Sequence, residues 1–360
     1  MSGQTIMFYI NAIHDGGAER VILQLAERFA QVGYRSVLVT SFVDTWEYPV
    51  PQGVERLSLE QAQTEQSRLK KNVQRIKKLR TLIKEYRPCV LISFMAEPNY
   101  RALLASLGLP VKTVISVRND PEIEYRGRAG HILAKTLLPT ADGCVFQTED
   151  AKSWFPEVLQ KKSVIIMNQV NPKFFEIERN AEPRDIVTTG RLNPQKNHEL
   201  LIRAFSRIAD KTDENLKIYG AGELKEQLTE LIDELGISER VFLCGASDDV
   251  PAVLAGAKLF VMSSDYEGMP NSLLEALAAG LPCISTDCPC GGPREVIENG
   301  ENGLLVPVKD EEKLAEAMLA LLSDSTLAEK MAAEAKHRAE KFRPDAVFAQ
   351  WREFIERFTD

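Results

Sequence analysis

Short runs of apolar, mostly β-branched residues alternate along this chain with longer segments whose apolar positions recur at helical spacing. Residues 6–11, 36–42, 89–94, 113–117, 143–148 and 163–168 are predicted strands, and segments between them such as 18–32 and 69–86 are predicted helices. The alternation pauses at residues 171–184, which carry Pro172, Pro183 and a charged middle. It restarts with predicted strands at 185–189, 216–219, 241–244, 259–263, 283–286 and 304–308, after which the chain reads as helical to its end. Near-continuous apolar strands separated by helices describe parallel sheets covered on both faces. The pattern therefore predicts an α/β protein of two doubly wound, Rossmann-like domains, at 1–172 and 183–342. Such sheets bind ligands at the carboxyl ends of their strands, so a cleft between the two domains is expected to hold the chemistry.

At 360 residues, 44% hydrophobic and 27% charged, the composition is that of an ordinary folded protein with material for two cores. No uncharged apolar stretch approaches the roughly 20 residues that cross a bilayer. The opening Met1-Ser2-Gly3-Gln4 lacks the basic run of a secretory leader. Six cysteines, mostly within apolar runs, fit a reducing compartment, so a cytoplasmic protein is expected. The net charge of −8 argues against nucleic acid as a partner. It hides an asymmetry: residues 1–175 carry 23 Lys and Arg against 17 Asp and Glu, and the remainder 21 against 35. Only the first half suits an anionic surface.

Three loops carry candidate chemistry. After the first strand, Gly16-Gly17 leads into a helix, a geometry in which backbone amides and a helix N-terminus approach a phosphate. A tight turn is the alternative, and the G-x-G-x-x-G dinucleotide fingerprint is absent. After the strand at 185–189, Gly190, Arg191 and Lys196 stand ahead of a helix, Arg191 suited to bidentate and Lys196 to point-charge contact with phosphate. After the strand at 259–263, Glu267-Gly268-Met269-Pro270-Asn271-Ser272 leads into a helix that opens at Pro270 and carries Glu275 on its second turn. Carboxylates at Glu267 and Glu275 suit sugar hydroxyls, and the amides of residues 268–271 suit phosphate oxygens. A solvated loop carboxylate and one favoured by the helix dipole are the alternative. No Asp-x-Asp pair stands where it would hold a metal, and Cys288-Pro289-Cys290 lacks a second ligand pair at zinc spacing. No metal is expected.

Gly16-Gly17, Gly190-Arg191 with Lys196, Gly220-Ala221-Gly222-Glu223-Leu224 and the Glu267–Glu275 spacing together resemble the retaining glycosyltransferases of family 4, which have the GT-B fold. The likeness spans essentially the whole chain and is strongest over 186–308. The opening Gly16-Gly17-Ala18-Glu19-Arg20 is similar to bacterial members that build capsule, O-antigen and other lipid-linked glycans. The resemblance implies a nucleotide-sugar donor, a UDP-sugar, and no cofactor. Gly16 and Gly17 would lie against the donor diphosphate, Arg191 and Lys196 would neutralise it as UDP departs, Glu267 would bind donor sugar hydroxyls and Glu275 those of the ribose. Gly190, Gly268, Met269, Asn271 and Ser272 would complete the donor site, and Gly220 and Gly222 would admit the base and ribose. The resemblance also implies that a terminal helix at 343–360, with Phe348, Trp351, Phe354, Ile355 and Phe358 on one side, crosses back to the first domain. One position departs from the pattern. Many relatives place a histidine after the strand at 113–117, where this chain has Arg118-Asn119-Asp120; Arg118 would assist a phosphate and Asp120 would orient or deprotonate an acceptor hydroxyl.

Residues 68–87 hold nine basic residues and one acid, with Leu69, Val73, Ile76, Leu79, Leu82, Ile83 and Tyr86 at helical spacing. This stripe is expected to pack on the sheet while the outward cations draw the domain to an anionic membrane surface carrying a polyprenyl-diphosphate-linked glycan acceptor. The expectation is a retaining, metal-independent transferase of a hexose or N-acetylhexosamine, peripheral on the inner face of the cell membrane. A soluble metabolite or protein acceptor is the second reading, and a non-catalytic nucleotide-sugar-binding protein the third.

Overall fold

The structure, a computed structural model, describes residues 3–14, 16–60, 67–180 and 182–359, without the side chain of Arg68. The chain divides into two compact units, Met1–Asn168 with Asp345–Asp360, and Gln169–Pro344.

In the first unit β1 (Thr5–Ile10), β2 (Arg35–Thr40), β3 (Val54–Ser58), β4 (Val90–Phe94), β5 (Lys112–Ser116), β6 (Gly143–Phe146) and β7 (Ser163–Ile165) form one parallel sheet. Its strand order is β3-β2-β1-β4-β5-β6-β7. Every residue of β1 is buried, because helices cover both faces. Ile6, Phe8 and Ile10 pack under the helix Gly17–Gln31, while Met7 and Tyr9 pack with Leu79, Ile83 and Ala102 on the other face. The edge strand β3 was not expected from sequence. Its residues are half-buried and its charges break the apolar run, Glu55 pairing with Arg35 and Arg56 with Glu47.

The terminal helix Pro344–Glu356 contributes Val347, Phe348, Trp351, Phe354 and Ile355 to the core around β1. Trp351 stacks on Phe94 at 5.8 Å between ring centroids, and Phe348 meets Phe29 edge-on at 5.1 Å.

In the second unit β8 (Asp185–Thr189), β9 (Asn215–Tyr219), β10 (Val241–Gly245), β11 (Ala257–Met262), β12 (Cys283–Thr286) and β13 (Leu304–Val306) form a parallel sheet in the order β10-β9-β8-β11-β12-β13. The break between units falls after Asn168, and the expected seam is built into the second unit. Arg179 donates to the carbonyls of Gly280 and Ala257, and the Asn180 amide donates to Ala255.

The basic helix spans Arg68–Tyr86, but its stripe packs only over its second half. Leu79 and Ile83 are buried, whereas Leu69 and Val73 are 77% and 45% exposed. Three of its cations also serve the protein itself. Arg75 forks onto Glu60 at 2.8 and 3.0 Å, Lys78 donates to the Leu59 carbonyl, and Arg80 donates to those of Ala105 and Leu107. The outward charge is thus narrower than the sequence implied, and Arg68 lies outside the described side chains. No helix of the described residues is long and apolar enough to cross a membrane.

Strand order reverses between β1 and β4 in the first sheet and between β8 and β11 in the second. In each sheet taken by itself, the loops leaving these strands stand at the switch point where such sheets bind ligands.

Candidate active site

In the second unit, the loop leaving β8 is held by asparagines at both corners. Asn193 Oδ1 accepts from the Lys196 amide at 3.3 Å. Asn197 adopts a left-handed φ of 43° that its short polar side chain tolerates, and its Oδ1 caps the helix His198–Ser206 by accepting from Leu200 at 3.1 Å. A Cβ at Gly190 would lie 3.3 Å from Lys196 Cε, so the glycine lets the lysine stem run across the loop.

The loop leaving β11 is stitched alongside. The Asp265 amide donates to the Gln195 carbonyl at 2.9 Å, Asn197 Nδ2 donates to Asp265 Oδ1 at 2.8 Å, and Ser263 Oγ donates to the Lys196 carbonyl at 3.0 Å. This registration brings Lys196 Nζ to 2.6 Å from Glu267 Oε1, with the two side chains 15% and 9% exposed. Ser264 Oγ donates to the same oxygen at 2.7 Å, and Gln195 Nε2 approaches Oε2 at 3.4 Å. The backbone of Glu267 is clamped as well, its amide donating to Pro289 at 2.7 Å and its carbonyl accepting from Cys290 at 3.1 Å. The Cys288-Pro289-Cys290 segment therefore frames the carboxylate. Burial pushes the Cys288 thiol up to about 12, so it stays protonated at neutral pH.

Arg191 is exposed, and its guanidinium makes no hydrogen bond or ion pair with the described residues. Behind it His198 is 3% exposed and neither ring nitrogen has a partner. Burial, and then the nearby Lys196 charge, push His198 down to about 4, so its ring is neutral.

The glycines have a structural explanation independent of any ligand. A Cβ at Gly220 would fall 1.8 Å from the Gly190 carbonyl oxygen, and one at Gly222 would fall 2.3 Å from that of Leu192. Both let the loop after β9 lie against the loop after β8, where the Leu192 amide donates to Ala221 at 2.9 Å. Gly268 is buried, and its carbonyl oxygen approaches Gly292 so closely that a Cβ there would sit 1.9 Å away. Met269 is buried, Asn271 is half-buried, and Ser272 Oγ is buried without a partner at the start of the helix Asn271–Ala278. Glu275 is buried on the second turn of that helix, 8% exposed.

The first unit holds the other candidates. Gly16 caps the helix Gly17–Gln31 in extended conformation, with Glu19 in its first turn, and Gly17 is exposed. Asp120 is 5% exposed, and its Oδ1 is already engaged in capping the turn Pro121–Glu124, accepting from Glu122 at 2.9 Å. Arg118, 8% exposed, lies over the Phe94 ring with its carbon 4.7 Å from the centroid. Its Nη2 donates to Asn168, which also accepts from Gln147 at 2.8 Å. Burial lowers Arg118 to about 9 and raises the neighbouring Glu124 to about 7, each opposed by the other's charge.

Sequence reading did not assign roles to Gln195, Ser264, Glu124 or Asn168. The first two stand within or beside the loops it singled out, but hydroxyl and amide side chains are common in any loop and carry no signal by spacing.

The pattern described as "Glycosyl transferases group 1" matches residues 169–338, and that described as "Glycosyltransferase Family 4" matches residues 15–174. Over 72% of the chain there is 33% identity to the exopolysaccharide phosphotransferase SCO2592 of Streptomyces coelicolor, of whose length the chain covers only 28%. The N-acetylgalactosamine-N,N'-diacetylbacillosaminyl-diphospho-undecaprenol 4-alpha-N-acetylgalactosaminyltransferase of Campylobacter jejuni is 32% identical over 69% of this chain and 71% of its own length. The crystal structure of Anabaena Alr3699/HepE in complex with UDP superposes with a TM-score of 0.83 at 18% identity, covering 98% of this chain and all of that one. That likeness fixes the fold as two Rossmann-like domains of the GT-B type. With patterns matched in both halves and a relative of this identity, the chain belongs to the family 4, group 1 glycosyltransferases.

Proposed function

We propose that this protein transfers a hexose or N-acetylhexosamine from a UDP-sugar to a polyprenyl-diphosphate-linked glycan, with retention at the anomeric carbon and without a metal. The observation that carries the reading is the pairing of Lys196 with Glu267 beside an unpaired, exposed Arg191. A departing diphosphate needs its developing charge met by groups already in place. Arg191 offers a planar fork with no competing partner, and Lys196 a second cation held at the loop corner. As the lysine turns toward phosphate, Ser264 and Gln195 keep the Glu267 carboxylate satisfied and oriented for sugar hydroxyls. In the transfer the anomeric C–O bond to the β-phosphate breaks, the bond to the acceptor oxygen forms on the same face, and the acceptor proton passes to a phosphate oxygen. UDP leaves, and no nucleophile from the chain is required.

Two observations support a lipid-linked acceptor. The Campylobacter relative is named for a diphospho-undecaprenol substrate. The helix Arg68–Tyr86 also presents exposed Lys70, Lys77 and Lys84 together with exposed Leu69 and Val73, a combination suited to an anionic bilayer surface on the cytoplasmic side. The test is transfer from UDP-glucose, UDP-N-acetylglucosamine and UDP-N-acetylgalactosamine to a synthetic polyprenyl-diphosphate N-acetylhexosamine in the presence of EDTA. An α-linked product, read by proton NMR of the new anomeric centre, is expected; a β-linked product, or transfer only with added metal, contradicts the reading.

A further inference from the structure

Four buried polar atoms without partners gather at the carboxyl edge of the first sheet: Arg118 Nη1, Glu124 Oε2 and the hydroxyls of Tyr100 and Tyr125. The two tyrosine rings lie 6.0 Å apart, edge to face, and both feel the Glu124 charge. Folded cores pair nearly all such groups, so a cluster of four signals that a further group belongs there.

The two charged members are each fixed by one atom and leave the other free. Arg118 is held by its Nη2 bond to Asn168 and by the Phe94 ring beneath it. Glu124 Oε1 accepts from the Ala96 amide at 2.7 Å. That amide is aimed by Met95, whose backbone takes φ 78° directly after β4, a conformation L-residues rarely adopt and that clusters at functional sites. Arg118 and Glu124 are close enough to act on each other's charge, yet no ion pair joins them.

We propose that Arg118 and Glu124 together grip one hydroxyl group of the sugar acceptor, the guanidinium donating to its oxygen through Nη1 and the carboxylate accepting its proton through Oε2. A hydroxyl is the group that accepts and donates at once. A phosphate in the same place would be attracted by Arg118 but repelled by Glu124, and an ammonium would meet the reverse. An apolar group would leave both charged groups buried and unsatisfied, which folded proteins avoid. The rings of Tyr100, Tyr125 and Phe94 wall the two charged groups with apolar surface, which strengthens a hydrogen bond made between them. This assignment rests on the proposed transferase reading and adds to it the residues that read the acceptor. Arg118 then serves a hydroxyl rather than a phosphate.

The experiment offers the full-length protein a polyprenyl-diphosphate N-acetylhexosamine, a p-nitrophenyl N-acetylhexosaminide, and versions of each with single hydroxyls removed. Wild type, Glu124→Gln and Arg118→Lys are compared, with the UDP-induced rise in melting temperature as the check on fold and donor site. One deoxy acceptor should lose about 100-fold in kcat/KM with wild type, since a site built to bond a hydroxyl rejects its absence. Glu124→Gln should lose at least about tenfold on the full acceptor, treat the two acceptors alike, and keep the UDP response. Wild type that accepts every deoxy analogue equally, or Glu124→Gln that still discriminates, overturns the inference and leaves a structural water in the site. Should Arg118→Lys fail to fold, Glu124→Gln decides alone. Wild type that glycosylates neither acceptor overturns the transferase reading, and this inference with it.

Discussion

Lys196 and Glu267, 71 positions apart, share an ion pair of 2.6 Å in which the carboxylate is also held by Ser264. The pair joins a loop corner after β8 to one after β11, at the point where the strand order of the second sheet reverses. A cation suited to the leaving diphosphate and a carboxylate suited to the donor sugar therefore rest against each other before substrate arrives. On the proposed function, donor binding is expected to exchange this pairing for contacts to the donor.

That arrangement separates stability from catalysis. Lys196→Ala should lower kcat by about 10²–10³, as removal of a charge-stabilising donor does. It should also cost about 1–3 kcal/mol of stability, because Glu267 is left buried without its cation. Arg191→Ala should show the catalytic loss with stability changed by no more than about 0.5 kcal/mol, since its side chain is exposed and forms no hydrogen bond or ion pair with the described residues. Urea titrations beside steady-state kinetics check both; an Arg191 variant with normal turnover removes it from the site.

Gly220→Ala should unfold or severely destabilise the second unit, by about 3 kcal/mol or more, because its Cβ meets a backbone carbonyl at 1.8 Å. Gly16→Ala should be mild by comparison, under about 1 kcal/mol, because its Cβ meets only the movable end of Glu19. Melting temperatures of the two variants give the answer directly, and a Gly220→Ala protein as stable as wild type would show that the loops after β8 and β9 do not approach so closely.

His198 makes stability depend on pH. The unfolded chain binds a proton near 6.5, whereas the folded ring resists it until about 4. The contribution is therefore whole above pH 6.5 and is lost as pH falls toward 4, up to roughly 3 kcal/mol. Unfolding free energies of wild type and His198→Gln, measured between pH 7.5 and pH 4 (a window set by those two values), should converge as the solution is acidified. Parallel curves would show that the ring is not buried neutral.

Exposed Lys70, Lys77 and Lys84 should dominate attraction to anionic phosphatidylglycerol vesicles, at on the order of 1 kcal/mol each. Their joint change to Gln should weaken sedimentation with vesicles by more than tenfold and leave folding intact. Arg75, Lys78 and Arg80, committed to Glu60 and to backbone carbonyls, should instead cost stability when changed. Vesicle binding that survives loss of the exposed lysines places the membrane contact elsewhere.

The parallel strands were legible because burial on both faces leaves unbroken apolar runs, as in β1 and β4. Strand β3 was not, since an edge strand with Glu55 and Arg56 offers no such run. The site's loops could be found from glycines and cations at strand ends. The contacts within them could not, because the Lys196–Glu267 and Gln195–Glu267 pairings depend on the register of two loops distant in sequence. Gly220 and Gly222 read as openings for a ligand, while the structure shows backbone carbonyls filling the space a side chain would need. Amphipathic spacing over residues 69–86 likewise suggested a continuous packed stripe, yet the sheet beneath reaches only its second half.

Donor recognition is the central claim, and the most direct measurement is a thermal-shift comparison of UDP, GDP and ADP, with and without EDTA, on wild type and Glu275→Ala. A ligand that binds only the folded state raises the melting temperature according to its affinity. A rise with UDP alone, indifferent to EDTA and lost in Glu275→Ala, is the expected result. Equal responses to all three nucleotides, or a UDP response abolished by EDTA, would contradict it.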